Sequence, residues 1–557
     1  MRAHMLPFVR LFARIRPRTI EGWFVLLLSL SSFIGVWYAL PALDVIRDTS
    51  GFSGGVLRAM EAHSVIPLAD ELPYGVVTFY LCYATIAAFL ALSFPFFHFS
   101  AGALKLFLLD HPEVVYAIAR ATSAAAVAAA VVYAHRFLRR EVTDAWYRSA
   151  ILMVVFGDIL VTAVSRSGKV WVVSSILGFI AVLLCYESVR DDAGQGKVPG
   201  KTALMSLLAV SLAAANFVLF SLYAVVFPLL LIGFRTVPHA AKKLFVYAIL
   251  AGVVGAAFVA INFQNTIGLF EVIFTGYHPL GASASSLRPS FGASLVFHFV
   301  QMLAVYPMVV AFALIAAIRG VRGKMLFWIS AAMLLVYFLG ISYIANWYGS
   351  IYNFLRYLYP LGFLFLPLLA SLRAPRKAVS IVFFALALAV YIYTIAMMAL
   401  PTTYTIAADQ IAARWGNANV VIDNRVFELA LPMNKGSYAL LHPLNCASKC
   451  ESALSSAGDI TFKPTVVTVY SYDATSSAPH IIVEDAPVAS CGTPLFTAPD
   501  GATNADYFDM EQGIGAYLDP AYFSGSPLGK HLFVYDESAC PKTVRALPID
   551  QNYDVTP

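Results

Sequence analysis

Apolar runs long enough to cross a bilayer recur through the first 400 residues, with basic residues gathered in alternate breaks between them. A hydrocarbon core about 30 Å thick is crossed by about 20 helical residues, and cytoplasmic breaks carry the excess of Lys and Arg. Runs of that kind fall at 23-41, 117-136, 146-164, 170-187, 202-217, 218-234, 244-262, 292-317, 325-344, 357-372 and 378-399. The expected fold is therefore mostly α, a polytopic membrane helical bundle of eleven spans. Only 12% of the chain is charged against 60% hydrophobic, which excludes a soluble core.

The breaks fix the expected sidedness. Arg2, Arg10, Arg14, Arg16 and Arg18 precede the first run, which lacks a small-residue cleavage site and so reads as an anchor. Arg136, Arg139, Arg140 and Arg148 fill the next basic break, followed by Arg190, Lys197 and Lys201. Arg235, Lys242 and Lys243, then Arg319, Arg322 and Lys324, then Arg373, Arg376 and Lys377 complete the set on the cytoplasmic side. Parity leaves out the apolar stretch Val76 to Phe97, because a single crossing there would place every later basic break outside. It is expected to be a juxtamembrane or re-entrant helix, or half of a hairpin with 101-109 that raises the count to thirteen.

After Leu400 the texture changes. Residues 401-557 hold 8 Lys/Arg and 17 Asp/Glu, net −9, which leaves 29 against 15, net +14, for residues 1-400. The basic part is the membrane domain (1-400), its charge topological and no nucleic-acid footprint. The acidic part (401-557) reads as a small α/β extracytoplasmic domain, with strands expected at 420-423, 460-471, 480-485 and 531-536. Four of the six cysteines lie there, at 446, 450, 491 and 540. Four cysteines allow three pairings, of which Cys446 with Cys450 and Cys491 with Cys540 is the simplest.

No Walker-type phosphate loop, dinucleotide fingerprint or H-E-x-x-H occurs, so the chemistry is sought in the membrane part. Eight basic residues fall outside the cytoplasmic breaks, among them Arg120, Arg166, Lys169 and Arg356. The same face gathers the loop 41-75 with Asp44 and Asp48, the turn SRSGKVW at 165-171, the loop 263-291 with Glu271 and His278, and NWYGSIYNFLRYLYP at 346-360. Asp158 lies inside a span, where an acid usually faces a cavity or a partner. Basic residues beside acids at membrane depth suit an anionic lipid headgroup and a polar acceptor.

These features, in this order, resemble the GT-C glycosyltransferases that use polyprenyl-phosphate sugars, especially the protein O-mannosyltransferases and the aminoarabinose transferase of lipid A. The resemblance covers about 400 residues. It rests on the acid-bearing first loop, ARATSAAAVAAAVVYAHRFLRR, the span ending in SRSGK, RYLYP at 356-360 and the outer C-terminal domain. It implies transfer to an acceptor hydroxyl on a glycolipid, glycan or protein, in a plasma (inner) membrane with the C-terminal domain in the periplasm. Asp48 would be the catalytic base, with Lys169 and Arg356 on the lipid phosphate. Arg166, Arg120, Asp158, Glu271 and His278 complete the candidate substrate-binding set. The family often shows an Asp-Glu pair where this chain has Asp48-Thr49, and an acid in the second outer loop where SRSGKVW has none; no metal ligand or cofactor is assigned. The competing class is a polytopic transporter or lipid flippase with a basic outer vestibule, for which internal repeats are expected and none is found.

Overall fold

A computed structural model describes residues 19–38, 55–56, 59–60, 62–67, 75–110, 112–261, 263, 290–347, 357–414, 419–422, 438–441, 467–470, 480–484, 486–503, 523–529 and 531–539. The helices are α1 (Ile20–Ser31), α2 (Val76–Ser93), α3 (Ala101–Asp110), α4 (Pro112–Glu141), α5 (Ala145–Phe156), α6 (Ile159–Val164), α7 (Val170–Asp191) and α8 (Lys201–Asn216). A 3-10 segment, Val218–Val225, leads into α9 (Val226–Gly233), followed by α10 (Ala240–Ile261), α11 (Phe291–Val305), α12 (Pro307–Ile318) and α13 (Lys324–Trp347). Last come α14 (Tyr359–Ser371), α15 (Lys377–Ala399) and α16 (Thr403–Arg414).

The chain is mostly helical, and several of its long apolar helices are compatible with a multi-pass membrane protein. Six helices among the described residues are long and apolar enough to cross a bilayer: α2 with its extension to Phe97, α4, α7, α10, α13 and α15. The pair α11 and α12, bent by 90° at Tyr306, makes a seventh if counted as one span. Five of the eleven expected runs thus appear as continuous spans, while the others fall on the bent pair or on apolar helices of 10–17 residues. The stretch that parity leaves out, Val76–Phe97, is itself one of the six.

The difference has a physical cause: hydropathy averages over helix breaks. The run at 146-164 is interrupted at Gly157, where an added Cβ would lie 2.5 Å from the Met153 carbonyl oxygen, and Asp158 then caps the short α6. Its carboxylate accepts from the Leu160 and Val161 amides at 2.9 and 3.4 Å, satisfying donors that a helix start leaves open. Pro307 opens α12 in the same way, as a residue without an amide donor suits a first turn.

Helix α7 is the centre of the bundle: 83% of its most apolar stretch is buried, against 17% for α10. The outward side chains of α10, such as Phe245, Ile249 and Val253, face where lipid would lie. Close approach to α7 depends on Gly178, whose missing Cβ would sit 2.5 Å from Cζ of Tyr223. That ring is fixed by Phe220 and Tyr337, each with its centroid 5.9 Å away. Gly178→Ala should therefore force overpacking and destabilise the fold by about 1–3 kcal/mol, read as a lower unfolding midpoint in detergent. An unchanged midpoint would mean that the ring has room to move.

Charged residues of two basic breaks meet where α4 and α7 end. Glu21 on α1 receives both Nε and Nη2 of Arg148 on α5 at 2.7 Å, and lies 3.1 Å from Nε2 of His135 on α4. Beside them Arg190 pairs with Glu141, and Arg140 with Glu187 at 3.0 Å. The breaks at 319–323 and 372–373 are also joined, by amides of Arg322 and Gly323 on the Ser371 carbonyl at 2.8 and 2.9 Å and Arg373 on that of Gly320 at 2.9 Å. Breaks assigned to one side from charge alone thus meet within each of these two groups.

Beyond α16 the chain turns to strands, β1 (Asn419–Ile422), β2 (Tyr438–Leu441), β3 (Val467–Tyr470), β4 (His480–Glu484), β5 (Phe496–Ala498) and β6 (Leu532–Asp536). They form a sheet of order β1-β4-β6-β5, with β1 parallel to β4 and the other pairs antiparallel, and a separate antiparallel pair of β2 with β3. Each of the four expected strand segments contributes a strand; β2 and β5 are additional. The sheet region is fastened to the helices by the Thr403 amide on the Leu528 carbonyl at 3.0 Å and the Gly525 amide on the Tyr393 hydroxyl at 3.2 Å.

Candidate functional site

The opposite end of the bundle holds a different kind of charge. Among the described residues the buried Lys, Arg, Asp and Glu side chains are Arg120, Asp158, Arg166 and Lys169, at 0, 1, 2 and 3% exposure. All four are residues singled out from the sequence, and three cations stand against one carboxylate.

Two of these cations hold the end of α1. After Ser31 the chain makes a turn through 32–38 in which Gly35 takes φ +88°, a conformation that side chains disfavour. Helix ends leave carbonyls without partners, and Arg166 supplies them: Nη2 donates to Ser31 O at 2.8 Å and Nε to Ile34 O at 2.5 Å. Its remaining contacts are Nη1 on Thr162 O at 2.6 Å and Nη2 on the Tyr391 hydroxyl at 3.3 Å. Arg166 is thus occupied as a clamp between α1, α6 and α15.

Arg120, on α4, takes the far end of the same turn, Nη1 donating to Tyr38 O at 2.5 Å and to Val36 O at 3.4 Å. Its Nε and Nη2 are buried without a hydrogen-bond partner. Unpaired donors on a buried guanidinium are costly, the more so at membrane depth. Nε and Nη2 are also the edge of guanidinium that meets a carboxylate or phosphate in two parallel bonds. The loop carrying Asp44 and Asp48 leaves from Tyr38, the residue Arg120 holds; Asp48 itself lies outside the described residues.

Lys169 ends the SRSGK turn, whose Gly168 has φ +74°, and precedes the first residue of α7. The turn is anchored by the start of α14 and the residues just before it. The Tyr359 hydroxyl lies 3.1 Å from Oγ of Ser165, and the ring of Tyr357 meets that of Trp171 at 5.0 Å. Tyr306, at the α11–α12 bend, donates to the carbonyls of Leu358 at 3.0 Å and Tyr359 at 3.4 Å. The structure therefore brings residues 357–359 onto the segment 165–171. Arg356, Glu271 and His278 lie outside the described residues.

Asp158 is engaged as the cap of α6, so a structural role is assured for it. Sequence reasoning missed three groups that organise this end. Tyr306 and Tyr391 were legible only as tyrosines within apolar runs, the first marked by the Pro307 that follows it. Asn216, which interrupts an apolar run, accepts from the Thr78 amide at 2.8 Å. Its Nδ2 donates to Thr78 Oγ1 at 3.0 Å, Val170 O at 3.3 Å and Ser174 Oγ at 2.8 Å, joining α2, α7 and α8. No group of His, Cys, Asp and Glu among the described residues has the arrangement of a metal site.

Comparison with known protein families, with curated proteins and with solved structures finds no match for the chain.

Proposed function

We propose that the chain is an integral membrane glycosyltransferase that moves a sugar from a polyprenyl-phosphate donor to an acceptor hydroxyl on the extracytoplasmic face. The observation that carries this reading is the buried guanidinium of Arg120, with two donors open, in a site where cations outnumber carboxylates. A lipid-linked phosphate supplies the missing negative charge and arrives from the bilayer, where the site lies. Lys169 and Arg356 are the other candidate phosphate ligands, both assigned from the family resemblance.

In the reaction the acceptor oxygen attacks the anomeric carbon as its proton passes to the carboxylate of Asp48. The bond from that carbon to the phosphate oxygen breaks with inversion, and polyprenyl phosphate leaves with the electron pair. Positive charge stabilises the departing phosphate, and the base supplies the nucleophile. The acceptor class is a glycolipid, a glycan or a protein.

The finer topology belongs to the same proposal. Thirteen crossings, with Val76–Phe97 and 101-109 as a hairpin, or eleven, with Val76–Phe97 not crossing, put residues 401-557 in the periplasm of a cell whose inner membrane holds the bundle. Cys82 and Cys185 are free and buried, whereas Cys491 is not a free thiol. The turn Ala489–Cys491 packs on Glu537–Ala539, the residues just before Cys540, which favours the pairing Cys491 with Cys540. Cys446, Cys450 and Cys540 lie outside the described residues.

Purified protein in liposomes should release free polyprenyl phosphate from the sugar-loaded lipid only when a hydroxyl acceptor is added. A flippase would redistribute the intact lipid between leaflets instead. Redistribution without release would overturn the transferase reading.

A further inference from the structure

Helix α11 carries a polar seam that the reading above does not use. Ser294, His298 and Gln301 recur at the spacing of one helical face, buried at 1, 4 and 2% exposure, while Val296, Phe299, Val300 and Leu303 on the remaining surface are exposed. The seam faces α13, where Ser342 lies 3.1 Å from Nδ1 of His298.

Polar residues between membrane helices commonly act as glue by bonding across the interface. His298 and Ser342 do so, but the Ser294 hydroxyl and Nε2 of Gln301 are buried without a partner. A helical serine can satisfy itself on the carbonyl four residues back, as Ser330 on the facing helix does at 2.7 Å; Ser294 does not. The open groups include a hydroxyl, which both donates and accepts, and an amide donor. Residues 290-318 and 325-347 contain no Lys, Arg, Asp or Glu, so these two helices bring no carboxylate, ammonium or guanidinium to a ligand.

We infer that this seam binds an uncharged, hydroxyl-rich group, a glycosyl headgroup, separately from the cationic site. The seam leads along α11 to Tyr306, which holds residues 358 and 359, and Tyr359 in turn holds Ser165 beside Arg166. The neutral seam and the cationic turn are thus joined through one tyrosine pair. The choice of a glycosyl group rests on the proposed function. Binding is therefore read without transfer.

The full-length protein in lipid nanodiscs is titrated with two kinds of probe: hexyl glycosides of glucose, mannose and arabinose, and hexyl phosphate. Wild type should bind at least one glycoside. Two neutral hydrogen bonds of ordinary strength correspond to a combined weakening of about tenfold or more when they are lost. Gln301→Leu and Ser294→Ala should each weaken the glycoside by about three- to tenfold and leave hexyl phosphate unchanged. Ser294→Ala removes one oxygen and keeps the helix, so the test does not depend on the larger substitution folding. Equal glycoside affinity in wild type and both variants, no glycoside bound by wild type, or equal losses for both probes would each overturn the seam as a binding site. A failure of hexyl phosphate alone would count against Arg120 and the transferase reading, not against the seam.

Discussion

Asp48→Asn should lower sugar transfer by roughly 10²- to 10⁴-fold, the usual contribution of a positioned base, with the fold and donor binding retained. The substitution keeps size and hydrogen bonding while removing the charge that accepts the proton. Asp48 follows Tyr38 by ten residues, and Tyr38 is held by Arg120, so the loop starts beside the cationic site. Ten residues reach at most about 35 Å, enough to return the carboxylate over that site. Asp44 is the rival, nearer to the helix end. Transfer lost in Asp44→Asn and kept in Asp48→Asn would move the base by one acid. Normal transfer by the double variant would remove the carboxylate mechanism from this loop.

The second large effect is expected at Arg120. Hydrogen bonds to charged groups contribute about 1.5–3 kcal/mol each, so Arg120→Gln should raise the apparent donor constant by at least tenfold, and by on the order of 10² if both open donors are used. Arg120→Lys keeps the charge but loses the planar fork and should fall between the two. Arg120 also holds Tyr38 and Val36, so the unfolding midpoint is measured alongside. A lower midpoint with an unchanged donor constant would make Arg120 a clamp like Arg166.

The contrast between those two arginines shows what was legible in the sequence. That both are unusual could be read from their place outside the basic breaks. Which one is occupied could not, because the acceptors of Arg166 are mostly backbone carbonyls at Ser31, Ile34 and Thr162, and a carbonyl has no sequence signature. The grouping of Arg140, Arg148 and Arg190 at one end followed from charge and membrane physics, since charged residues seek the bilayer surface. Continuity of the spans was harder. A window of apolar residues reads the same whether Gly157 and Asp158 break the helix or not, and whether Tyr306 marks a 90° bend or a straight run. The strands at 480–484 and 532–536 were legible from β-branched and aromatic residues between polar turns, whereas β5 has three residues and too little pattern to detect. The seam of Ser294, His298 and Gln301 was present as a helical spacing within an apolar run, but its open donors emerge only when the facing helix is in place.

In the proposed reaction the chain forms a new glycosidic bond with a lipid-phosphate donor. That step is tested most directly by incubating membranes containing the protein, or its Asp48→Asn variant, with polyprenyl-phosphate donor labelled in the sugar. The wild-type protein should transfer label to a hydroxyl acceptor with the opposite anomeric configuration, and the variant should not. Label that remains entirely on polyprenyl phosphate in both, with the protein folded and the acceptor classes supplied, would rule out the transferase.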